Sequence, residues 1–98
     1  MIKGVSEKEE IIIKSILKNF PYEFYYYGSR VSGNFTKGSD LDILLKNDKE
    51  IPYSEIEKIK TEFNESTIPY IVNISEYTKM DERFFKHIES TLVKVDFC

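Results

Sequence analysis

The sequence predicts an α/β protein with a mixed β-sheet flanked by helices, and two observations favour this class. Helical and strand patterns alternate along the 98 residues in the order α-β-α-β-α-β-α-β. Hydrophobic residues make up 41% of the chain and charged residues 32%, a balance typical of a globular domain rather than a disordered or fibrous chain. We therefore expect a single domain over residues 1–98, although these patterns do not predict the strand order.

The first helix and first strand have clear local signals. Ser6 and Glu9 have the spacing of a capping box. Apolar residues then recur at helical intervals and predict a helix over 6–19. The aromatic run at 22–27 favours a strand, because aromatic side chains suit a pleated, half-buried surface.

The next segment changes from strand to helix and back. Gly28 and Ser29 end the first strand, and residues 30–35 can form a short helix. Residues 36–39 are turn-like, and 40–45 predict a second strand that becomes apolar towards its end.

The second half predicts two further helices and two further strands. Ser54 begins a second capping-box pattern, and the apolar spacing predicts a helix over 53–65. Residues 68–74 predict a third strand, and Asp81 can cap a last helix. Residues 92–97 predict a closing strand, with Val93, Val95 and Phe97 on one face.

Charge and composition exclude several functional classes. The net charge is −3 and the basic residues form no cluster, which argues against a surface that grips duplex DNA or long RNA. No apolar run reaches the roughly 20 residues of a membrane span, and the N-terminus does not resemble a signal peptide. Cys98 is the single cysteine, so no internal disulfide is expected and a cytoplasmic location is the default.

Gly28 and Ser29 lie where a strand meets a predicted helix. Glycine allows close approach of a ligand to the backbone, and a helix N-terminus offers free N–H donors to a phosphate. The Ser29 hydroxyl and the adjacent Arg30 would add a donor and a cation. In isolation, this pattern is more often an ordinary strand-to-helix turn.

Asp40 and Asp42 are two residues apart on a predicted strand, so their side chains share one face. Adjacent carboxylates repel each other, and a divalent cation removes that penalty. Mg²⁺ typically binds one or two carboxylates together with phosphate oxygens. The alternative is a pair of solvated acids at the start of a strand.

The two motifs together are more specific than either alone. Gly28-Ser29, ten intervening residues and then Asp40-Leu41-Asp42 resemble the signature of the DNA polymerase β-like nucleotidyltransferase superfamily. The chain looks closest to the minimal nucleotidyltransferases, the antitoxin partners of HEPN ribonuclease toxins. Arg30 after Gly-Ser, Gly33 in the short helix and Ser39 before the first aspartate extend the resemblance.

This resemblance implies a role for each residue of the motif. Gly28 and Ser29 would hold the β- and γ-phosphates of ATP or another NTP, with Arg30 and Ser39 close to the nucleotide. Asp40 and Asp42 would bind Mg²⁺, and a hydroxyl of the acceptor would attack the α-phosphate.

Asn73 departs from the family pattern. The resemblance implies a third acid on the next core strand, and Asn73 occupies that position. An amide oxygen can bind a metal but cannot take a proton from the acceptor. Glu76 and Asp81 are the nearby acids, but strand alternation directs Glu76 away from Asn73.

Other candidate residues have simpler interpretations. His87 is the single histidine, and with no evident partner it is interpreted as a surface or boundary residue. The tyrosines at 25–27 could stack on bases, but a strand entering the core explains them more simply.

Two functional hypotheses follow. The first is an enzyme that transfers AMP from ATP to a tyrosine of a HEPN toxin, with Mg²⁺ as cofactor and without direct contact to nucleic acid or membrane. The second is an inactive or weakened antitoxin that neutralises its toxin by binding, a hypothesis favoured by Asn73.

Overall fold

In the computed structural model, which describes residues 2, 4–33 and 39–97, helices and strands alternate in the predicted order. The helices are α1 (Glu7–Leu17), α2 (Ser29–Ser32), α3 (Tyr53–Asn64) and α4 (Glu82–Ile88). The strands are β1 (Glu23–Tyr27), β2 (Leu41–Lys46), β3 (Val72–Glu76) and β4 (Val93–Lys94). Across the described ranges, no helix combines the length and the apolar character that a bilayer span requires.

The four strands form one mixed sheet in the order β3-β2-β1-β4, which confirms the predicted class. β1 is antiparallel to both β2 and β4, whereas β2 and β3 are parallel. In this register Asp42 lies opposite Tyr27 on one side and Asn73 on the other. The topology therefore brings three separate parts of the sequence to one end of the sheet.

The two faces of the sheet are covered differently. One face packs against α1 and α3 and forms the main core, which includes Phe24, Tyr26 and Ile43. The other face carries a smaller cluster around Tyr27, Leu44 and Ile88 beneath α4. Strand alternation places Asp42 and Asn73 on this second face, where α4 leaves room for a cleft.

Two of the three predicted helix caps are confirmed. Ser6 makes the capping box that starts α1, and Asp81 caps α4 by accepting backbone hydrogen bonds. The capping box predicted at Ser54 is wrong, although the helix itself is present. α3 begins at Tyr53, and its N-cap is Pro52, whose carbonyl accepts the N–H of Glu55 at 3.0 Å.

The last two strands differ in extent from the prediction, because a strand needs a neighbour to pair with. β3 begins at Val72 rather than at 68, opposite Leu41 at the start of β2. β4 has two residues and pairs with the middle of β1. Val95 is buried, whereas Val93 and Phe97 are 36% and 44% exposed, so the three residues predicted to share a face are not buried alike.

The short helix predicted over 30–35 begins one residue earlier. α2 spans Ser29–Ser32 and ends at Gly33, which has a left-handed conformation with φ of 95°. Residues 34–35 of that prediction, and residues 36–38 of the turn predicted at 36–39, lie outside the described residues.

Candidate active site

Asp40, Asp42 and Asn73 converge at the end of the β2–β3 pair. The Asn73 side-chain amide donates to Oδ2 of Asp40 at 2.9 Å and to Oδ1 of Asp42 at 3.2 Å. Asn73 is exposed, and the two aspartates are half-buried. One amide N–H₂ group therefore bridges two carboxylates that would otherwise repel each other.

The environment of Asp42 disfavours its charge. Burial raises the pKa of the Asp42 carboxyl above its ordinary value. The hydrogen bond from Asn73 lowers this pKa, and the nearby Asp40 charge raises it again. An additional positive charge near Asp42 would therefore stabilise the ionised form of its carboxyl group.

Gly28 lies against Asp42 at the end of β1. Its φ is +89° and its ψ is −159°, a conformation essentially confined to glycine. A Cβ atom at this position would lie 2.3 Å from Oδ2 of Asp42. A glycine is therefore required both by the backbone conformation and by the close approach to the carboxylate.

Arg30 is directed into the fold. It is 2% exposed, and its guanidinium donates to the Ser39 carbonyl through Nε at 3.2 Å and through one terminal nitrogen at 2.8 Å. The guanidinium also stacks over the Tyr70 ring, 4.1 Å from its centroid. Arg30 thus ties α2 to the residue that precedes Asp40, and this burial does not favour a direct contact with phosphate.

Ser29 and Ser39 are half-buried, and each is next in sequence to a residue of the site. Ser29 is the first residue of α2, directly after Gly28. Ser39 precedes Asp40 and is held by Arg30. The structure therefore brings Gly28, Asp40 and Asn73 around Asp42, whereas Arg30 and Ser39 contact each other.

The donor set fits a magnesium ion. Mg²⁺ binds protein carboxylate oxygens and completes its coordination with water and phosphate oxygens. The Asn73 N–H₂ group occupies the position between the carboxylates where a cation would be stabilised. A flip of this exposed amide would replace its N–H donors with an oxygen ligand. Among the described residues no cluster of three His, Cys, Asp or Glu side chains is present, so the ion would depend on two acids.

A polar cleft of about 510 Å³ opens on the β3 side of Asp42. Its walls include Asn73, Ser75 and, from α3, Lys60 and Asn64. Ser75 lies 2.9 Å from the Tyr27 hydroxyl, a contact that the sequence did not indicate. Pairing of β2 with β1 on one side and with β3 on the other creates this contact across 48 residues of sequence.

The two other acids near β3 have structural partners. Glu76 forms an ion pair with Lys79 at 3.4 Å, and alternation along β3 places it on the opposite face from Asn73. The Asp81 carboxylate accepts the backbone N–H of Arg83 at 2.8 Å as a helix cap. These contacts agree with the expectation that Glu76 does not replace a third acid.

His87 is exposed, as expected for a surface or boundary residue, but it also lines a second cleft next to Asp42. This cleft has a volume of about 310 Å³ and lies between α4 and Gly28. No sequence pattern indicates this proximity, because His87 and Gly28 are brought together only when α4 packs on the sheet.

Comparisons with known proteins agree with this geometry. Residues 10–95 match the family model described as polymerase beta, nucleotidyltransferase. "Probable protein adenylyltransferase MntA" of Haemophilus influenzae is 28% identical over 93 residues, which cover 93% of this chain and 82% of that protein.

The fold is also similar to a crystal structure at 1.40 Å resolution of a Sulfolobus solfataricus protein named as a nucleotidyltransferase. The TM-score is 0.51 at 22% identity, covering 87% of this chain and 73% of that one, so this likeness concerns the fold alone. The matched family model covers most of the chain, including both aspartates, Gly28 and Asn73. The chain therefore belongs to the polymerase beta nucleotidyltransferase family.

Proposed function

We propose that this chain is a magnesium-dependent protein adenylyltransferase that transfers AMP from ATP to a hydroxyl of a partner protein. The observation that carries this proposal is the convergence of Asp40, Asp42 and Asn73 beside Gly28. The 28% identity to a protein named as an adenylyltransferase supports the choice of a protein acceptor.

Each residue has a defined task in this proposal. Asp40 and Asp42 hold Mg²⁺, which when bound neutralises charge on the phosphates and on the attacking and leaving oxygens. The backbone at Gly28 and the Ser29 hydroxyl bind the β- and γ-phosphates, because both directly follow β1 and glycine allows close approach to its backbone. The missing side chain at Gly28 also lets the Asp42 carboxylate lie against this backbone. Arg30 is a positioning residue that fixes Ser39 and thereby the start of β2.

The acceptor in this proposal is a tyrosine of a HEPN-type toxin, as the resemblance to the minimal nucleotidyltransferases implies. The net charge of −3 argues for a protein acceptor over an RNA acceptor, because RNA binding depends on a basic surface. In the toxin–antitoxin pair, transfer of AMP to the toxin is the step that silences it.

A second candidate function is supported by Asn73. Its amide bridges both carboxylates and cannot accept the proton of the acceptor hydroxyl. A chain with this feature can act as an antitoxin that neutralises its toxin by binding, with slow transfer or none.

Incubation with ATP labelled at the α-phosphate and Mg²⁺ tests the main proposal. The acceptors are a candidate HEPN-type partner protein and, separately, total RNA. The matched control is Asp40→Asn/Asp42→Asn, which keeps the size of both side chains and removes both charges. Label on tyrosine of the protein that disappears in the control supports the adenylyltransferase.

Three other outcomes have distinct meanings. Label on RNA alone contradicts the protein acceptor. Equal label with the control contradicts a site built on Asp40 and Asp42. Toxin neutralisation without label in the wild type, retained in the control, supports the binding function instead.

A further inference from the structure

Phe84 lies next to the proposed phosphate and metal site. It lies in α4 and is 46% exposed, although its ring contacts the Tyr27 ring edge to face. The centroids are 6.2 Å apart and the ring planes are inclined by 79°. Tyr27 directly precedes Gly28, so this contact holds an exposed aromatic ring at the edge of the site.

The cleft between α4 and Gly28 is continuous with the site. Its volume of about 310 Å³ lies at the lower end of the range of small-molecule sites, about 300–1,000 Å³. Seven residues line it, namely Tyr27, Gly28, Asp42, Phe84, His87, Ile88 and Thr91. Asp42 also lines the polar cleft on the β3 side, so the two clefts meet at this carboxylate.

The geometry of phosphoryl transfer distinguishes the two clefts. The attacking and leaving oxygens lie roughly in line on opposite sides of the α-phosphorus. If the pyrophosphate leaves from Gly28, the acceptor hydroxyl enters from beyond Asp42, on the side of Asn73 and Ser75. The polar cleft then belongs to the acceptor, and the cleft under Phe84 remains for the nucleoside.

The walls of the second cleft suit a nucleobase. Phe84, Tyr27 and Ile88 supply aromatic and aliphatic surface, and His87 and Thr91 add polar groups. Small-molecule sites combine such apolar walls with a few polar groups that orient the ligand. A purine has an apolar face for stacking and a polar edge for hydrogen bonds.

We propose that the cleft between α4 and Gly28 is the nucleoside subsite, in which Phe84 stacks on the purine of the bound nucleotide. This inference rests on the proposed nucleotidyl transfer and adds the residue that recognises the base. It assigns a ligand contact to α4, a helix that carries none of the motif residues.

Calorimetric titration of the intact chain with MgATP and with magnesium tripolyphosphate tests the subsite. Tripolyphosphate has the charges of the nucleotide without its nucleoside. Phe84→Ala should weaken MgATP binding by roughly 5- to 100-fold, the range expected for loss of one base–aromatic stack. It should leave tripolyphosphate affinity within about twofold. Phe97→Ala is the matched control, because Phe97 is 44% exposed and lies outside this cleft.

Each other outcome overturns the subsite. MgATP affinity unchanged in Phe84→Ala excludes the stack, and equal weakening of both ligands assigns the effect to the phosphate site. Tripolyphosphate binding as tightly as MgATP to the wild type excludes a nucleoside subsite while leaving the metal and phosphate site in place. If the wild type binds neither MgATP nor tripolyphosphate, both the proposed transferase and the nucleoside subsite are excluded. Phe84→Leu, which keeps apolar volume without a ring, provides the same comparison if Phe84→Ala does not fold.

Discussion

Replacing Asn73 with aspartate tests the whole site with one isosteric change. The Asn73 amide donates two hydrogen bonds to carboxylates, each in the range of about 1.5–3 kcal/mol for bonds to charged groups. Because Asn73 is exposed, hydrogen bonds to water replace part of this stabilisation. A net loss of about 1–2 kcal/mol in the free energy of unfolding is expected. For a domain of this size, that loss lowers the Tm of the metal-free protein by roughly 5–15 °C.

Magnesium should reverse the loss in the Asn73→Asp variant. Three carboxylates bind the ion more tightly than two, and a ligand at 100 times its Kd stabilises the folded state by about 2.7 kcal/mol. Thermal melts with and without Mg²⁺ measure both effects. Asn64→Asp is the control, because it adds the same charge to the wall of the same cleft without removing the bridging amide.

The same variant should transfer AMP at least about 10-fold faster than the wild type, a cautious fraction of a general-base effect. Its affinity for the partner protein should change little, because the substitution is local. If the wild type shows no AMP transfer and Asn73→Asp does, the result favours an antitoxin that acts by binding as the function of the wild-type chain. A variant that melts like the wild type, responds no more strongly to Mg²⁺ and transfers no faster would falsify the assignment of Asn73 to the third-acid position.

Three further substitutions test individual contacts. Gly28→Ala should destabilise the fold by about 1–3 kcal/mol and weaken MgATP binding, since a side chain suits neither the backbone conformation nor the contact with Asp42. An unchanged Tm would contradict this reasoning. Arg30→Lys should cost about 1–3 kcal/mol in chemical denaturation, because an ammonium group lacks the planar fork that holds the Ser39 carbonyl; full stability would count against its positioning role. Asp42→Asn should melt higher than the metal-free wild type. The folded-state pKa of Asp42 is raised above its ordinary 3.8, so its contribution to stability is present below that value and is lost as pH rises through the folded pKa. The difference in Tm between the two proteins should therefore widen with rising pH, and Mg²⁺ should stabilise the wild type more; a constant difference across pH would refute the burial argument.

The local elements were largely predictable because their signals are local. The capping box at Ser6 and the cap at Asp81 act within one helical turn, and both are present. The aromatic run of β1 is a strand because its side chains suit a buried sheet, and Tyr26 and Tyr27 are 4% and 7% exposed. The capping box predicted at Ser54 is absent because Pro52, two residues earlier, is already the N-cap of α3.

Strand ends and strand order required the tertiary structure. β3 and β4 are as long as their pairing with β2 and β1 permits, and sequence periodicity carries no information about those partners. The order β3-β2-β1-β4 likewise depends on which strands pair across the chain.

At the site, the chemical groups could be identified from residue types and spacing alone. The spacing of Gly28, Asp40 and Asp42 gave the family, and alternation along the third strand placed Asn73 on the face away from Val72. These inferences hold because residue type and strand periodicity are fixed by the chain itself.

The contacts among these groups, by contrast, depend on how the chain folds. It directed Arg30 inward to Ser39, joined the Asn73 amide to both carboxylates, and packed Phe84 and His87 of α4 beside Gly28. The Asn73 contacts join residues 31 and 33 positions apart, and even Arg30 and Ser39 are nine positions apart. Their geometry follows from sheet pairing and helix packing, which act on whole elements rather than on neighbours in sequence.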